Sequence, residues 1–172
     1  MPITPDTKNW TWVLETPCTE CGYDAALVGF RDVPGVLRAN AAEWPTELRR
    51  ADVRSRPDDR TWSPLEYSAH VRDVFRIFHG RLRLMLAEDA PTFPNWDQDE
   101  TAIADRYSEQ DPERVASELL EAAADLAEAL EQVDDADLER TGLRSDGSAF
   151  TVESLARYFI HDPVHHLHDV RG

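Results

Sequence analysis

The chain has 172 residues, with 34 acidic against 18 basic side chains, a formal charge of −16, and 41% hydrophobic and 30% charged residues. That length supports one domain with a real core, and no apolar run approaches the roughly 18 residues of a membrane span, so one soluble domain over residues 1–172 and no membrane partner are expected. The negative field repels phosphate backbones and the basic residues form no stripe, which argues against nucleic acid as a partner.

Lys8 is the one lysine, and alanine is plentiful, as in proteins of GC-rich bacterial genomes. Met1 to Asn9 is polar and Pro-containing, without the basic and apolar regions of a secretory signal, so a cytoplasmic address is expected. Trp10 to Glu15 is short, aromatic and β-branched, which suits an extended segment. Cys18-Thr-Glu-Cys21-Gly22 resembles half of a zinc ribbon, but the chain has no further cysteine for the other half. The pair therefore reads as a tight turn with two inert thiols, as a redox pair, or as metal ligands.

Helical periodicity begins at Asp32, with Pro34 in the first turn and Val36, Leu37, Asn40, Ala41, Trp44 and Leu48 recurring at helical spacing. Arg49 to Arg60 is charged and aperiodic, a solvated connection. Ser63-Pro64-Leu65-Glu66 offers a capping serine, a proline at the first helical position and a glutamate three residues after the cap, so a second helix should run to about Ala87. Its apolar stripe is Val71, Val74, Phe75, Phe78, Leu82, Met85 and Leu86, with Arg72, Arg76 and Arg83 elsewhere on the wheel. His70 lies at the edge of that stripe, as a hydrogen-bonded core residue or a ligand, and His79 reads as surface. Glu88 to Gln110 is long, irregular and acidic, with Phe93, Trp96 and Tyr107, so it is either a lid over a pocket or packing over one end of the helices. Asp111-Pro112-Glu113 opens a third helix through Val115, Leu119, Leu126 and Val133, and Asp134 to Gly147 reads as loop. Thr151 caps a fourth helix that runs through Val152, Leu155 and Phe159 into a histidine-rich end. Four helices with little strand suggest a bundle, an all-α fold.

The last helix carries four of the six histidines. His161, His165 and His168 fall at i, i+4 and i+7, on one helical face with Tyr158 a turn above. A small divalent cation could take His161 and His165 from that helix and His70 from the second, with coordination positions left open as in catalytic sites. Zinc is the default, while nickel, iron and cobalt also accept imidazole. His166 points about 100° away from His165 and pairs on paper with Asp162 at i−4. Pro163 cannot donate to the carbonyl of Phe159, so a kink is expected inside the site.

Trp62-Ser63-Pro64-Leu65-Glu66-Tyr67-Ser68-Ala69-His70-Val71-Arg72-Asp73 resembles the W-S-x-x-E-x-x-x-H-h-x-D segment of the DinB superfamily, and His161-x-x-x-His165-His166 resembles its C-terminal H-x-x-x-H-H. The resemblance spans about residues 32–170 and implies an up-down-down-up four-helix bundle with a divalent metal on a histidine triad, here His70, His161 and His165. The superfamily includes bacillithiol transferases and mycothiol-dependent maleylpyruvate isomerases. It thus implies a metal-dependent thiol S-transferase or isomerase, with a small-molecule thiol and an electrophile as partners; the lysine-poor, GC-rich type of composition makes mycothiol the expected thiol, and Tyr158 and His168 are this chain's own candidates for handling protons. A metal-dependent hydrolase and a non-enzymatic metal- or ligand-binding stress-response bundle are the alternatives. Residues 1–31, with Cys18 and Cys21, form an extension outside the superfamily pattern, and a homodimer is compatible with the helix faces.

Overall fold

The computed structural model describes residues 3, 4 and 9–172. Met1, Pro2 and Pro5–Lys8, on which the expected address and the lone lysine fall, lie outside the described residues. Helix α1 (Val33–Glu47) starts with Pro34 in its first turn, where a missing N–H costs nothing. Helix α2 (Pro64–Ala87) begins at the anticipated capping box: the Ser63 hydroxyl accepts from the Glu66 amide and the Glu66 carboxylate accepts from the Ser63 amide. Glu66 is also paired with Arg56, which fixes the preceding connection onto the helix start.

Strand β1 (Thr92–Phe93) and helix α3 (Gln98–Ala104) lie in the stretch expected to be irregular. Asp97 caps α3 by accepting from the Glu100 amide at 2.9 Å. Helix α4 (Pro112–Glu131) opens at Asp111, which accepts from the Arg114 amide at 2.8 Å. Strand β2 (Thr141–Arg144) occupies part of the Asp134–Gly147 segment expected to be loop; it pairs parallel with β1 and antiparallel with β3 (Ala149–Thr151). Leu143 and Arg144 take their ladder partners from Thr92 and Phe93, a pairing across about fifty residues that no local pattern announces.

Helix α4 packs against both α1 and α2, while α5 (Val152–Phe159) and α6 (His161–Arg171) close the bundle on the other side, α5 against α2 and α6 against both α1 and α2. This is the expected four-helix bundle: α1 and α2 lie on a diagonal and share only marginal contact. Leu37, Ala41 and Trp44 meet Val71, Phe75 and Phe78, Leu119, Leu126 and Leu130, and Leu155 and Phe159 in one cluster. Each fully buried side chain of this kind contributes about 1.5–3 kcal/mol over leaving it in water.

The fourth helix is broken. It ends at Phe159 and restarts at His161, because Pro163 has no N–H for the Phe159 carbonyl. The Pro163 carbonyl accepts from Asn40 Nδ2 at 2.9 Å, and Asn40 Oδ1 accepts from Trp44 Nε1 at 2.9 Å, so α1 anchors the first turn of α6.

One further expectation needs correction. Trp10–Leu14 is a 3-10 turn, not an extended segment: Asn9 Oδ1 accepts from the Thr11 amide and only Val13 of the five is buried. Arg72, off the apolar stripe, is nonetheless buried, bonded to both oxygens of Asp73 at 2.9 Å and to Gln110 and Glu118. Tyr107, fully buried, donates its hydroxyl to Asp73 at 2.6 Å, and this pins the end of the Glu88–Gln110 segment across the bundle. Among the described residues no helix is long and apolar enough to cross a membrane.

Candidate metal centre

At the junction of α5 and α6 with α2 lies a cavity of about 810 Å³ that is open to solvent on one side. Asp162 and His166 of α6, Trp96 of the Glu88–Gln110 segment, Tyr158 of α5 and the guanidinium groups of Arg81 and Arg144 all contribute to its wall. Segment 88–110 therefore serves both readings drawn from sequence: Tyr107 packs it down, and Trp96 brings it over the pocket.

Two groups of metal-ligating side chains meet beside this cavity, each with ligand atoms within 4.8 Å of one another: His70, Asp162 and His166; and Cys18, Cys21, His161 and His165. The expected set of His70, His161 and His165 is thus divided between them. Residues one apart on a helix point about 100° apart, so His161 and His165 face the N-terminal segment while Asp162 and His166, also i and i+4, face α2.

In the first group, His70 Nε2 lies 3.2 Å from Asp162 Oδ1 and His166 Nε2 lies 3.6 Å from the same oxygen. Ligands at Zn–N and Zn–O distances of about 2.0–2.2 Å in tetrahedral array sit about 3.4 Å apart, the value these two distances bracket. His70 is fully buried, its ring stacked on Trp96 (5.1 Å, 4°) and tilted against Trp62 (5.2 Å), so aromatic packing fixes its orientation. His70 Nδ1 has no hydrogen-bond partner among the described residues.

His166 Nδ1 stands 3.1 Å from Asp169 Oδ2. An ionised carboxylate only accepts, so a neutral His166 carries its proton on Nδ1 and turns the lone pair of Nε2 toward Asp162. Burial opposes ionisation of Asp162, but the neighbouring His70 and His166 outweigh it and hold the carboxyl at about 2. A lone pair facing a carboxylate leaves room for a cation between them, and a carboxylate on the outer nitrogen of the imidazole is the usual support of a metal-binding histidine. The donor set of two imidazoles and one carboxylate, with one side on the cavity, fits a divalent metal with an open coordination position.

The second group is more enclosed: Cys18, His161 and His165 are buried and Cys21 half-buried. Burial, more than the neighbouring His165, lowers the pKa of His161 to about 4, and burial lowers that of His165 as well. Burial pushes the Cys21 thiol up to about 11.

The sequence matches the DinB superfamily over residues 36–170. The chain belongs to the DinB superfamily. A solved structure of YfiT from Bacillus subtilis, described as a probable metal-dependent hydrolase with an unusual four-helix bundle topology, superposes with a TM-score of 0.66 at 18% identity, over 99% of this chain and 91% of that one. No curated protein matches the sequence. At that identity the likeness to YfiT is one of fold, which is the four-helix bundle of the superfamily.

In this member, Trp62 of the superfamily-like W-S-x-x-E-x-x-x-H-h-x-D segment packs on His70, Ser63 and Glu66 cap α2, and Asp73 anchors Arg72 and Tyr107. The C-terminal motif offers two overlapping i, i+4 pairs, and sequence reasoning took the pair made of histidines. Asp162 was not among the expected ligands; its i, i+4 spacing to His166 was the signal that it could join His70 in holding an ion. The placing of Cys18 at 3.6 Å from His165, across 147 residues, had no such signal. His168 is exposed at the cavity rim, and the Tyr158 hydroxyl accepts from Arg144 Nη1 at 3.1 Å.

Proposed function

We propose that this protein is a metal-dependent enzyme acting on an anionic small molecule, with His70, Asp162 and His166 holding the divalent ion. The observation that carries this reading is the convergence of His70 Nε2 and His166 Nε2 on Asp162 Oδ1 at the wall of a large cavity. Such an ion supplies an acidifying position for a thiol or a water that takes its open coordination site.

The protein's own residues do the rest. Trp62 and Trp96 hold the His70 ring, and Asp169 holds His166 in the tautomer that aims Nε2 inward. Arg81 is buried between the rings of Phe78 and Phe93 and donates to the Pro94 carbonyl at 3.0 Å; among the described residues it has no carboxylate partner. A buried guanidinium on a cavity wall, with no ion pair of its own among the described residues, suits an anionic group of the substrate, while Arg144 beside it is already paired with Asp146. Tyr158 accepts from Arg144 and keeps its own O–H to donate toward a bound electrophile.

Thiol S-transfer or isomerisation with a low-molecular-weight thiol of the mycothiol kind is the reaction favoured, because about 810 Å³ is room for a bulky thiol and an electrophile together. Hydrolysis, with water in place of the thiol, is the second reading, supported by the description given to YfiT. Electrophile conversion assayed over a panel of thiols separates them. A rate that depends on added thiol and falls in Asp162→Ala supports transfer; the same loss without thiol dependence supports hydrolysis; conversion undiminished in Asp162→Ala refutes the site.

A further inference from the structure

We infer that Cys18, Cys21, His161 and His165 form a second, closed zinc site that fastens the N-terminal segment to helix α6. It goes beyond the proposed reaction and does not depend on it. The four ligand atoms lie within 4.8 Å of one another. Cys18 Sγ lies 3.6 Å from His165 Nδ1. Zn–S at about 2.3 Å and Zn–N at about 2.0–2.1 Å, opened to the tetrahedral angle, place sulfur and nitrogen about 3.6 Å apart.

The surroundings are those of a metal knuckle. The Gly22 amide donates to the Cys18 carbonyl at 2.9 Å and the Cys18 amide to the Tyr23 carbonyl at 2.8 Å, so the chain doubles back around the two thiols. Gly22 sits at φ +77°, a conformation that a side chain rarely adopts, immediately after the second cysteine. His165 turns Nδ1 to the sulfur and Nε2 to the carboxylates of Glu20 (3.4 Å) and Asp169 (3.7 Å), the arrangement in which an outer carboxylate orients an imidazole ligand. His161 is 4% exposed, and its Nε2 has no hydrogen-bond partner among the described residues. The Trp10 ring covers both histidines, at 5.4 and 5.1 Å between centroids.

The chemistry selects the ion. Two thiolates and two neutral imidazoles make a soft, four-coordinate set that suits zinc and neutralises its charge, and binding releases the two thiol protons. Four protein ligands leave no open position, so this site is structural, in contrast to the three-ligand group one helical face away. It also steadies that group: His161 and His165 alternate with Asp162 and His166 on the same turns of α6, and Asp169 touches a histidine of each.

Cobalt substitution of the full chain, expressed without a histidine tag, tests the inference. A near-ultraviolet thiolate-to-cobalt absorption band is expected in the wild type and in His70→Ala/Asp162→Ala, and its loss is expected in Cys18→Ser/Cys21→Ser. Zinc content should fall by about one equivalent in the cysteine variant, as a single four-ligand site requires. A cobalt-loaded wild type without that band overturns the inference, as does a cysteine variant that keeps it or retains its full zinc content. If the cysteine variant does not fold, alkylation of the wild-type thiols decides the matter: protection by zinc that chelation abolishes supports the site, and equal rates with and without zinc overturn it. The double variant of the open site keeps this outcome distinct from failure of the proposed reaction.

Discussion

Replacing Asp169 by asparagine removes one charge from the last turn of α6 and touches both groups of ligands unequally. Asp169 Oδ2 is 3.1 Å from His166 Nδ1, a full charge-assisted hydrogen bond, but Oδ1 is 3.7 Å from His165 Nε2, where Glu20 at 3.4 Å offers a second carboxylate. Loss of an outer carboxylate weakens metal affinity by about 10–100-fold, or about 1.4–2.7 kcal/mol. Asparagine keeps an acceptor oxygen, so Asp169→Asn should lie near the lower end and Asp169→Ala near the upper at the His70–Asp162–His166 site. At the cysteine-containing site both should cost less. The residue is partly exposed, so the fold should lose no more than about 1 kcal/mol. Competition against a chromogenic chelator measures the affinities, with the thiolate–cobalt band reporting the cysteine-containing site separately. Unchanged affinity in both variants, or a larger loss at the cysteine-containing site, would refute the reasoning.

Arg81→Met should raise the melting temperature of the free protein slightly, because it removes a buried cation whose pKa burial, and then the nearby Arg144, depress to about 10. The same variant should lose any thermal protection that small carboxylates give the wild type. Gly142→Ala puts a Cβ 2.8 Å from Phe93 Cε1 and 2.9 Å from Met85 Cγ and Sδ, an overpacking expected to cost about 1–3 kcal/mol in denaturant unfolding. Burial opposes ionisation of Asp73, but hydrogen bonds from Arg72 and Tyr107 and the charges of Arg72 and Arg76 hold its carboxyl below the ordinary range. A folded-state pKa below the unfolded one adds stability that is complete above the unfolded value of about 3.9 and is lost as pH falls through the folded value. Denaturant unfolding from about pH 5 to about pH 2 should therefore show a steeper loss of stability in the wild type than in Asp73→Asn, and parallel profiles would count against the Asp73 network.

The helices were legible where their ends carry chemistry: Ser63 with Glu66, Asp111 with Pro112, and Thr151 each cap the helix expected of them. The strands were not, because β1 and β2 are short and pair across some fifty residues, with Gly142 where a strand pattern would call for a side chain. Trp10–Leu14 misled because alternating aromatics suit a strand, while the 3-10 turn is set by the Asn9 cap and by the two histidines that Trp10 covers. Among the candidate ligands, residue types and spacing were visible but phase was not. A one-residue shift on α6 exchanges His161 and His165 for Asp162 and His166, and which pair faces α2 depends on the break at Ile160 and on the anchoring of Pro163 by Asn40.

Metal content of untagged protein, wild type against Asp162→Ala, tests the central claim most directly. If His70, Asp162 and His166 hold the ion that serves the cavity, the variant loses about one equivalent of metal while the cysteine-containing site keeps its own, since an open site cannot spare one of three ligands. A wild type without stoichiometric metal, or an Asp162→Ala variant with undiminished metal, would contradict it.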